Sequence, residues 1–255
     1  MPCMRIAIVG YGRMGREACQ AALEAGHQVT ARIDPFAEDT DAAELSADIA
    51  AGADVAIEFS SAEGVVENAR RYVEFGLSAV VGTTGWGERL AEVSSIVAGG
   101  STGYLHATNF SLGVQLFMRL AAQATTLLDP FADYDLAIFE RHHRRKADSP
   151  SGTALSLGQA VLGSSSRKRR IATERLDRQV DADELHVAAV RGGEDPGTHT
   201  LVFDSLDDTI ELTHRARGRA ALAAGALRGA AWLLAEPRKT GIYDIDDLIN
   251  EMVRT

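Results

Sequence analysis

The chain has 255 residues, 45% hydrophobic and 24% charged, with a formal net charge of −10, enough length for one large domain or two modest ones. The acidic balance argues against a nucleic-acid surface and against anionic membranes, so neither is expected as a partner. Cys3 and Cys19 are the only cysteines and make no C-x-x-C pair, so neither a disulfide framework nor a metal site is expected.

The opening residues show no signal-peptide anatomy. The apolar run from Ala220 to Ala235 is interrupted by Arg228 and is too short to span a membrane. A soluble, cytoplasmic protein is the expectation.

In chain order, Arg5 to Val9 is a short, apolar, β-branched run of the kind buried in a parallel sheet. It meets Gly10-Tyr11-Gly12-Arg13-Met14-Gly15, a full G-x-G-x-x-G. Met14, Ala18, Ala21, Ala22 and Ala25 then mark a helix face that stops at Gly26. Val29 to Ile33 is a second strand, with Asp34 at its end. Glycine lets such a turn close tightly and lets backbone approach a pyrophosphate resting on the helix N-terminus, while the acid takes the adenosine ribose hydroxyls. Strand, glycines, helix, strand and acid in this order predict a dinucleotide site. Tyr11 and Met14 read as packing residues within it.

The alternation continues. Asp54 to Phe59 reads as a strand, Ala62 to Phe75 as a helix stopped by Gly76, and Leu77 to Val81 as another strand. Tyr104 to Ala107 is a further short strand. In doubly wound sheets the ligand lies beyond the carboxyl ends of the strands. Phe59-Ser60, Gly82-Thr83-Thr84 and Thr108-Asn109-Phe110 fall there and are candidate cofactor contacts, with ordinary loop chemistry as the alternative at each.

After Asn109 the texture changes. Leu112 to Leu128 is a long amphipathic helix and Asp135 to Phe139 a strand, leading into Glu140-Arg141-His142-His143-Arg144-Arg145-Lys146. Two histidines and four cations thus precede Ser151-Gly152-Thr153, a turn that caps a helix running to Leu162. A positive cluster on an acidic chain draws in anions, and a capped helix start adds backbone donors. A solvated basic loop is the competing reading of this stretch alone. The second basic run, Ser164 to Arg170, reads as a surface loop. Strands follow at Leu185 to Val190, His199 to Phe203 and Thr209 to Thr213, then an alanine-rich helix from Arg219 to Ala235.

These elements predict an α/β fold: a Rossmann-like doubly wound parallel sheet with a second α+β domain built on an open mixed sheet. The expected division is 1–108 plus 219–255 for the dinucleotide-binding domain, and 109–218 for substrate binding and oligomerisation.

The motifs Gly10 to Arg16, Val81 to Gly85, Ala107 to Ser111, Glu140 to Lys146 and Asp148 to Ala154 resemble, in order and spacing, the 4-hydroxy-tetrahydrodipicolinate reductase (dihydrodipicolinate reductase) family. The resemblance runs from Met4 to the C-terminal helix. It implies a homotetramer that reduces a small dicarboxylate with NADH or NADPH, in the diaminopimelate route to lysine. It carries the catalytic acid/base role onto His142 and proton donation onto Lys146, with His143, Ser151, Gly152 and Thr153 on the substrate. Its nucleotide contacts fall on Gly10, Tyr11, Gly12, Arg13, Met14, Gly15, Asp34, Gly82, Thr83, Thr84, Ala107, Thr108, Asn109 and Phe110.

Two departures bear on the choice between NADH and NADPH. Some members follow the acid of the second strand with an arginine that helps hold a 2′-phosphate; here Asp34 is followed by Pro35 and Phe36, and the usual loop between the second and third strands is short. The chemistry of the residues is consistent with this family. A dianionic ring needs cations such as Arg144, Arg145 and Lys146, plus backbone donors. Hydride addition to a carbon conjugated with an imine builds charge on nitrogen that a positioned acid must quench. The alternative is another NAD(P)-dependent reductase of homoserine- or aspartate-dehydrogenase-like architecture.

Overall fold

The computed structural model describes residues 2–254, which fall into two compact units, one running to Leu112 and resuming at Arg219, the other Gly113–Gly218. In the first unit, β1 (Arg5–Val9), β2 (Gln28–Ile33), β3 (Val55–Glu58), β4 (Ser78–Val81), β5 (Gly103–His106) and β11 (Gly241–Asp244) form one sheet. Its order is β11-β5-β4-β3-β1-β2 and every pairing is parallel. The order reverses at β1, which has β2 on one side and β3 on the other; that is where doubly wound sheets bind ligands.

Strand residues alternate between two cores. Ile6, Ile8, Val55, Ile57, Val80 and Leu105 pack with Ala18 and Ala22 of α1 (Arg13–Glu24) and Ala223, Ala226, Ala230 and Leu233 of α7 (Ala220–Leu234). Ala7, Val9, Ala56, Ala79 and Val81 face the opposite way, against Ala50 of α2 (Ala47–Gly52), Val65, Ala69 and Tyr72 of α3 (Val65–Glu74), and Val93 and Val97 of α4 (Leu90–Ala98). Small residues on α7 let backbone approach closely. A Cβ at Gly225 would strike the Phe110 carbonyl, and one at Gly229 would fall 2.6 Å from Leu105 Cδ2.

The second unit holds a five-stranded mixed sheet, ordered β10-β9-β6-β8-β7. The strands are β6 (Asp135–His142), β7 (Arg170–Ala172), β8 (Glu184–Arg191), β9 (Thr198–Asp204) and β10 (Thr209–Arg215). β6 pairs parallel with β8 and antiparallel with β9. One face is covered by α5 (Leu112–Leu128) and α6 (Gly152–Ser164): Leu136, Ile138, Leu185, Val187, Leu201 and Phe203 pack on Phe117, Ala121, Leu157 and Val161. On the other face Phe139 and Val190 are 52% and 58% exposed.

Two expectations change here. β6 does not stop at Phe139 but continues to His142, so strand alternation turns Glu140 and His142 inward and Arg141 outward. Nor is the second basic run a plain surface loop. Lys168 is only 1% exposed; its ammonium donates to the carbonyls of Ala182 (3.1 Å) and Glu184 (2.8 Å) and pairs with Asp135. Buried charge is tolerated only with such partners.

Candidate active site

The glycine turn shows three different demands in six residues. Gly10 adopts φ +83, and a Cβ there would collide with the Phe59 carbonyl at the end of β3. A Cβ at Gly15 would strike the Gly10 carbonyl, so α1 packs directly on the turn. At Gly12 a Cβ would meet nothing within 4 Å. Gly12 is also the N-cap of α1 and, lacking a side chain, gives the first-turn amides no cap hydrogen bond. Closed glycines on both sides of an open one, beneath unfilled helix donors, fit a pyrophosphate.

Asp34 fastens this turn to β2. Its carboxylate accepts from the amides of Tyr11 (2.8 Å), Phe36 (2.8 Å) and Ala37 (3.1 Å). Burial pushes its pKa up, but these amides outweigh that and the net direction is down. Tyr11 is buried, as its packing role requires, and Met14 is half-buried.

Arg13 and Arg16 stand at the start of α1; among the described residues Arg13 has no acid partner, whereas Arg16 has one. Arg16 is gripped by Asp39 at 2.5 Å and lies over the Tyr11 ring, 4.6 Å from its centroid; Arg32 is held by Asp41 at 2.9 Å. Phe36 is 93% exposed. The other strand ends also gather at this edge. The Ser60 amide donates to Thr83 Oγ1 at 2.8 Å, and the Phe59 ring sits where a Gly82 Cβ would be. Thr84 and Thr108 are exposed, Asn109 accepts from the Ser111 amide at 2.8 Å, and Ala107 and Phe110 are buried.

The second constellation forms at the end of β6. His142 is 6% exposed, and Lys146 and His143 are half-buried in the turn that follows. Lys146 Nζ binds Asp148 at 2.8 Å. The Lys146 ammonium, followed by smaller contributions that include the Gly152 amide, holds the Asp148 carboxyl below its usual range. An internal carboxylate thus rests on the lysine and helix start that the sequence assigns to a substrate carboxylate. Gly152 is exposed and Thr153 half-buried at the start of α6.

Ser151 departs from its expected place. Its hydroxyl is buried, caps α6 by accepting from the Ala154 amide at 3.2 Å, and donates inward to Glu140. It supports the site from behind.

Glu140 itself, 2% exposed, accepts from the Ser151 amide at 3.1 Å and pairs with Arg191 at 2.5 Å. Its Oε2 lies 3.5 Å from both His142 Nδ1 and His199 Nε2. Burial pushes this carboxyl up, yet donation by His199, Ser151 and Arg191 brings it down to about 2. For His142, burial lowers the pKa, Glu140 opposes, and His199, Lys146 and Arg191 add to the lowering.

Glu140, His142 and His199 bring ligand-type atoms within 4.8 Å of one another. A metal cation there would have to displace the guanidinium of Arg191. The cluster is built around a paired anion.

The positive cluster seen in the sequence is largely neutralised. Arg141 pairs with Asp195 at 2.7 Å and Arg145 with Glu194 at 2.5 Å, leaving Arg144 exposed. Both acids come from the turn between β8 and β9, whose role sequence reasoning missed along with Arg191 and His199. The E-x-H alternation of a strand was the available signal for Glu140.

Comparison with known proteins gives a consistent answer. The family models "Dihydrodipicolinate reductase, N-terminus" and "Dihydrodipicolinate reductase, C-terminus" match residues 4–110 and 113–249. A 4-hydroxy-tetrahydrodipicolinate reductase from Christiangramia forsetii is 34% identical over 98% of this chain and 100% of its own length. One from Archaeoglobus fulgidus is 37% identical over 96% and 100%. A dipicolinate-bound dihydrodipicolinate reductase from Paenisporosarcina sp. TG-14 shares the fold, with a TM-score of 0.78 over 97% of this chain and 99% of that one at 22% identity. With both halves matched and such relatives along its whole length, the chain belongs to the dihydrodipicolinate reductase family of NAD(P)H-dependent oxidoreductases.

Proposed function

We propose that this chain reduces 4-hydroxy-tetrahydrodipicolinate, after loss of water, to tetrahydrodipicolinate on the diaminopimelate route to lysine. The observation that carries the site assignment is the Asp148 carboxylate held by Lys146 beside the α6 N-terminus, directly after the inward-facing His142. NADH or NADPH supplies the hydride. When the ring accepts it, an electron pair passes to the ring nitrogen, and His142 and Lys146 deliver the balancing proton. His143, Gly152 and Thr153 bind the substrate carboxylates, with the α6 amides as donors. Asp34 and the Asp39-bound Arg16 favour NADH, since neither offers free positive charge to a 2′-phosphate. The alternative homoserine- or aspartate-dehydrogenase-like reading is not favoured, because both family models match the reductase.

No helix among the described residues is long and apolar enough to cross a membrane, and a cytoplasmic homotetramer is the proposed state. The exposed Phe139 and Val190 on the uncovered sheet face support a subunit contact there.

The test is oxidation of NADH and NADPH with freshly generated hydroxy-tetrahydrodipicolinate, in the wild type, His142→Ala and Lys146→Ala. Each variant should lose about two to four orders of magnitude in turnover with cofactor affinity nearly unchanged. A variant that keeps near-wild-type turnover removes its residue from the mechanism.

A further inference from the structure

We propose that Glu140 is a positioning residue of this site: its single buried carboxylate holds the His142 ring through Nδ1 and, simultaneously, the Ser151 cap of the substrate-binding helix. The inference rests on the reading of His142 as the acid. Nothing in the mechanism above uses Glu140, yet it has more polar neighbours than any residue that the mechanism names. Oε1 takes the Arg191 guanidinium (2.5 Å) and the Ser151 amide (3.1 Å). Oε2 takes the Ser151 hydroxyl and faces His142 Nδ1 and His199 Nε2, both at 3.5 Å.

The ring has little freedom to choose otherwise. His199 stacks edge-on at 5.2 Å between centroids, and a Cβ at Gly197 would lie 2.8 Å from His142 Nε2. Gly197 sits at φ +143, which leaves that space to the ring. His142 Nδ1 is buried and makes no hydrogen bond, so the Glu140 carboxylate, 3.5 Å away, acts on it as a facing charge. A carboxylate facing Nδ1 selects the tautomer with the proton there and stabilises the imidazolium, leaving Nε2 as the atom that exchanges protons with a ligand.

Charge around His142 comes from four sides. Glu140 shares its strand, Lys146 lies in the following turn, Arg191 ends β8 and His199 begins β9. Of these only Glu140 favours the protonated ring; the other three oppose it, and burial opposes it further. Arg191 also donates to the Asp148 carbonyl, at 3.2 Å through Nε, which ties the Lys146 turn to the same carboxylate. One anion therefore sets the proton affinity of the acid, the start of α6 and the placement of the lysine turn.

The experiment compares Glu140→Gln and Glu140→Asp in the full chain, with kcat and kcat/KM measured across pH. Glu140→Gln keeps the size and an acceptor for Ser151 but removes the charge. Its kcat should fall about ten- to a hundredfold at neutral pH, with KM changed less. The limb on which activity is lost with rising pH should move to lower pH, because His142 then loses its proton earlier. Glu140→Asp should return the limb toward the wild-type position. A Gln variant with the wild-type limb and kcat overturns the proposal, as does an equal loss in Gln and Asp with the limb unmoved. Should Glu140→Gln fail to fold, nitrogen chemical shifts of His142 in the wild type decide: neutral His142 protonated on Nδ1 supports the proposal and protonation on Nε2 overturns it. His142→Ala separates this from the reading beneath it, since full turnover there would remove His142 itself.

Discussion

Each unit buries a glutamate at the end of a strand beside its candidate site, and the two are treated in opposite ways. Glu58 ends β3 and is fully buried; it accepts from Ser60, from Asn68 at 3.0 Å and from Tyr72 at 2.8 Å. Every donor is neutral. Burial pushes its pKa up and those hydrogen bonds offset the rise only in part. Glu140 near the end of β6 is as deeply buried, but a guanidinium and a histidine join its donors and the carboxyl falls to about 2. Two carboxylates hidden from solvent thus shift in opposite directions, and the donors that distinguish them are His199 and the charged Arg191. The consequence is functional. A turn that must receive phosphates gains nothing from a buried anion nearby, whereas a histidine that must hold a proton does.

The comparison breaks most directly at Arg191. Arg191→Met keeps bulk and removes the cation, so Glu140 should come to resemble Glu58. The lowered carboxyl of Glu140 contributes stability that is present above its unfolded pKa and lost as pH falls through about 2. Losing the partner of a buried charge costs roughly 3–5 kcal/mol; the partial exposure of Arg191 puts the expected loss at about 2–4 kcal/mol at pH 7. Urea titrations at neutral and acid pH measure it. The two proteins should converge at low pH, and equal stability at pH 7 would show that Arg191 does not set the Glu140 charge.

The sequence carried the first region further than the second, for a physical reason. A glycine turn is local: Gly10, Gly12 and Gly15 announce their constraints through six consecutive residues, and Asp34 follows at one βα step. Their places in the structure match that logic, down to the open space at Gly12. Around Glu140 the partners arrive from β8, β9 and the turn between them, some fifty residues away, and only the β6 register brings Arg191 opposite His142. Cations visible as a run in sequence turned out to be paired with Glu194 and Asp195 for the same reason. Helix α4 was missed because Val93, Ile96 and Val97, with two serines, are weak helix formers. Edge strand β11 was not recognised as a strand because its pairing to β5 is entirely non-local.

Asp34 is an intermediate case, an anion kept charged chiefly by backbone amides, with a smaller contribution from the Arg16 charge. If it also rejects a 2′-phosphate, Asp34→Ser should move the ratio of kcat/KM for NADH over NADPH toward NADPH by about tenfold. Part of any loss with both cofactors would reflect the loosened glycine turn, so the ratio is the quantity to read. A wild type that already prefers NADPH strongly would contradict the assignment. Asp39→Asn sharpens it, since freeing Arg16 should add to the same shift.

The smallest effect is expected at Glu58, and its sign distinguishes the two glutamates. A carboxyl whose folded pKa is raised binds more protons in the native state than in the unfolded one. Its contribution is therefore fully present below the unfolded pKa, and stability declines as pH rises from there toward the folded value. Glu58→Gln removes that titration while keeping an acceptor for Tyr72 or Asn68. At pH 5 the variant should lie within about 1 kcal/mol of the wild type, the amide losing some hydrogen-bond geometry. At pH 8 it should gain relative to the wild type, whereas the deficit of Glu140→Gln should be nearly the same at both values, because the Glu140 titration lies below this range. Unfolding free energies of both variants at the two pH values suffice to check this. A Glu58→Gln protein with the pH slope of the wild type would mean that Glu58 does not titrate in this range, and the contrast would then rest on Glu140 alone.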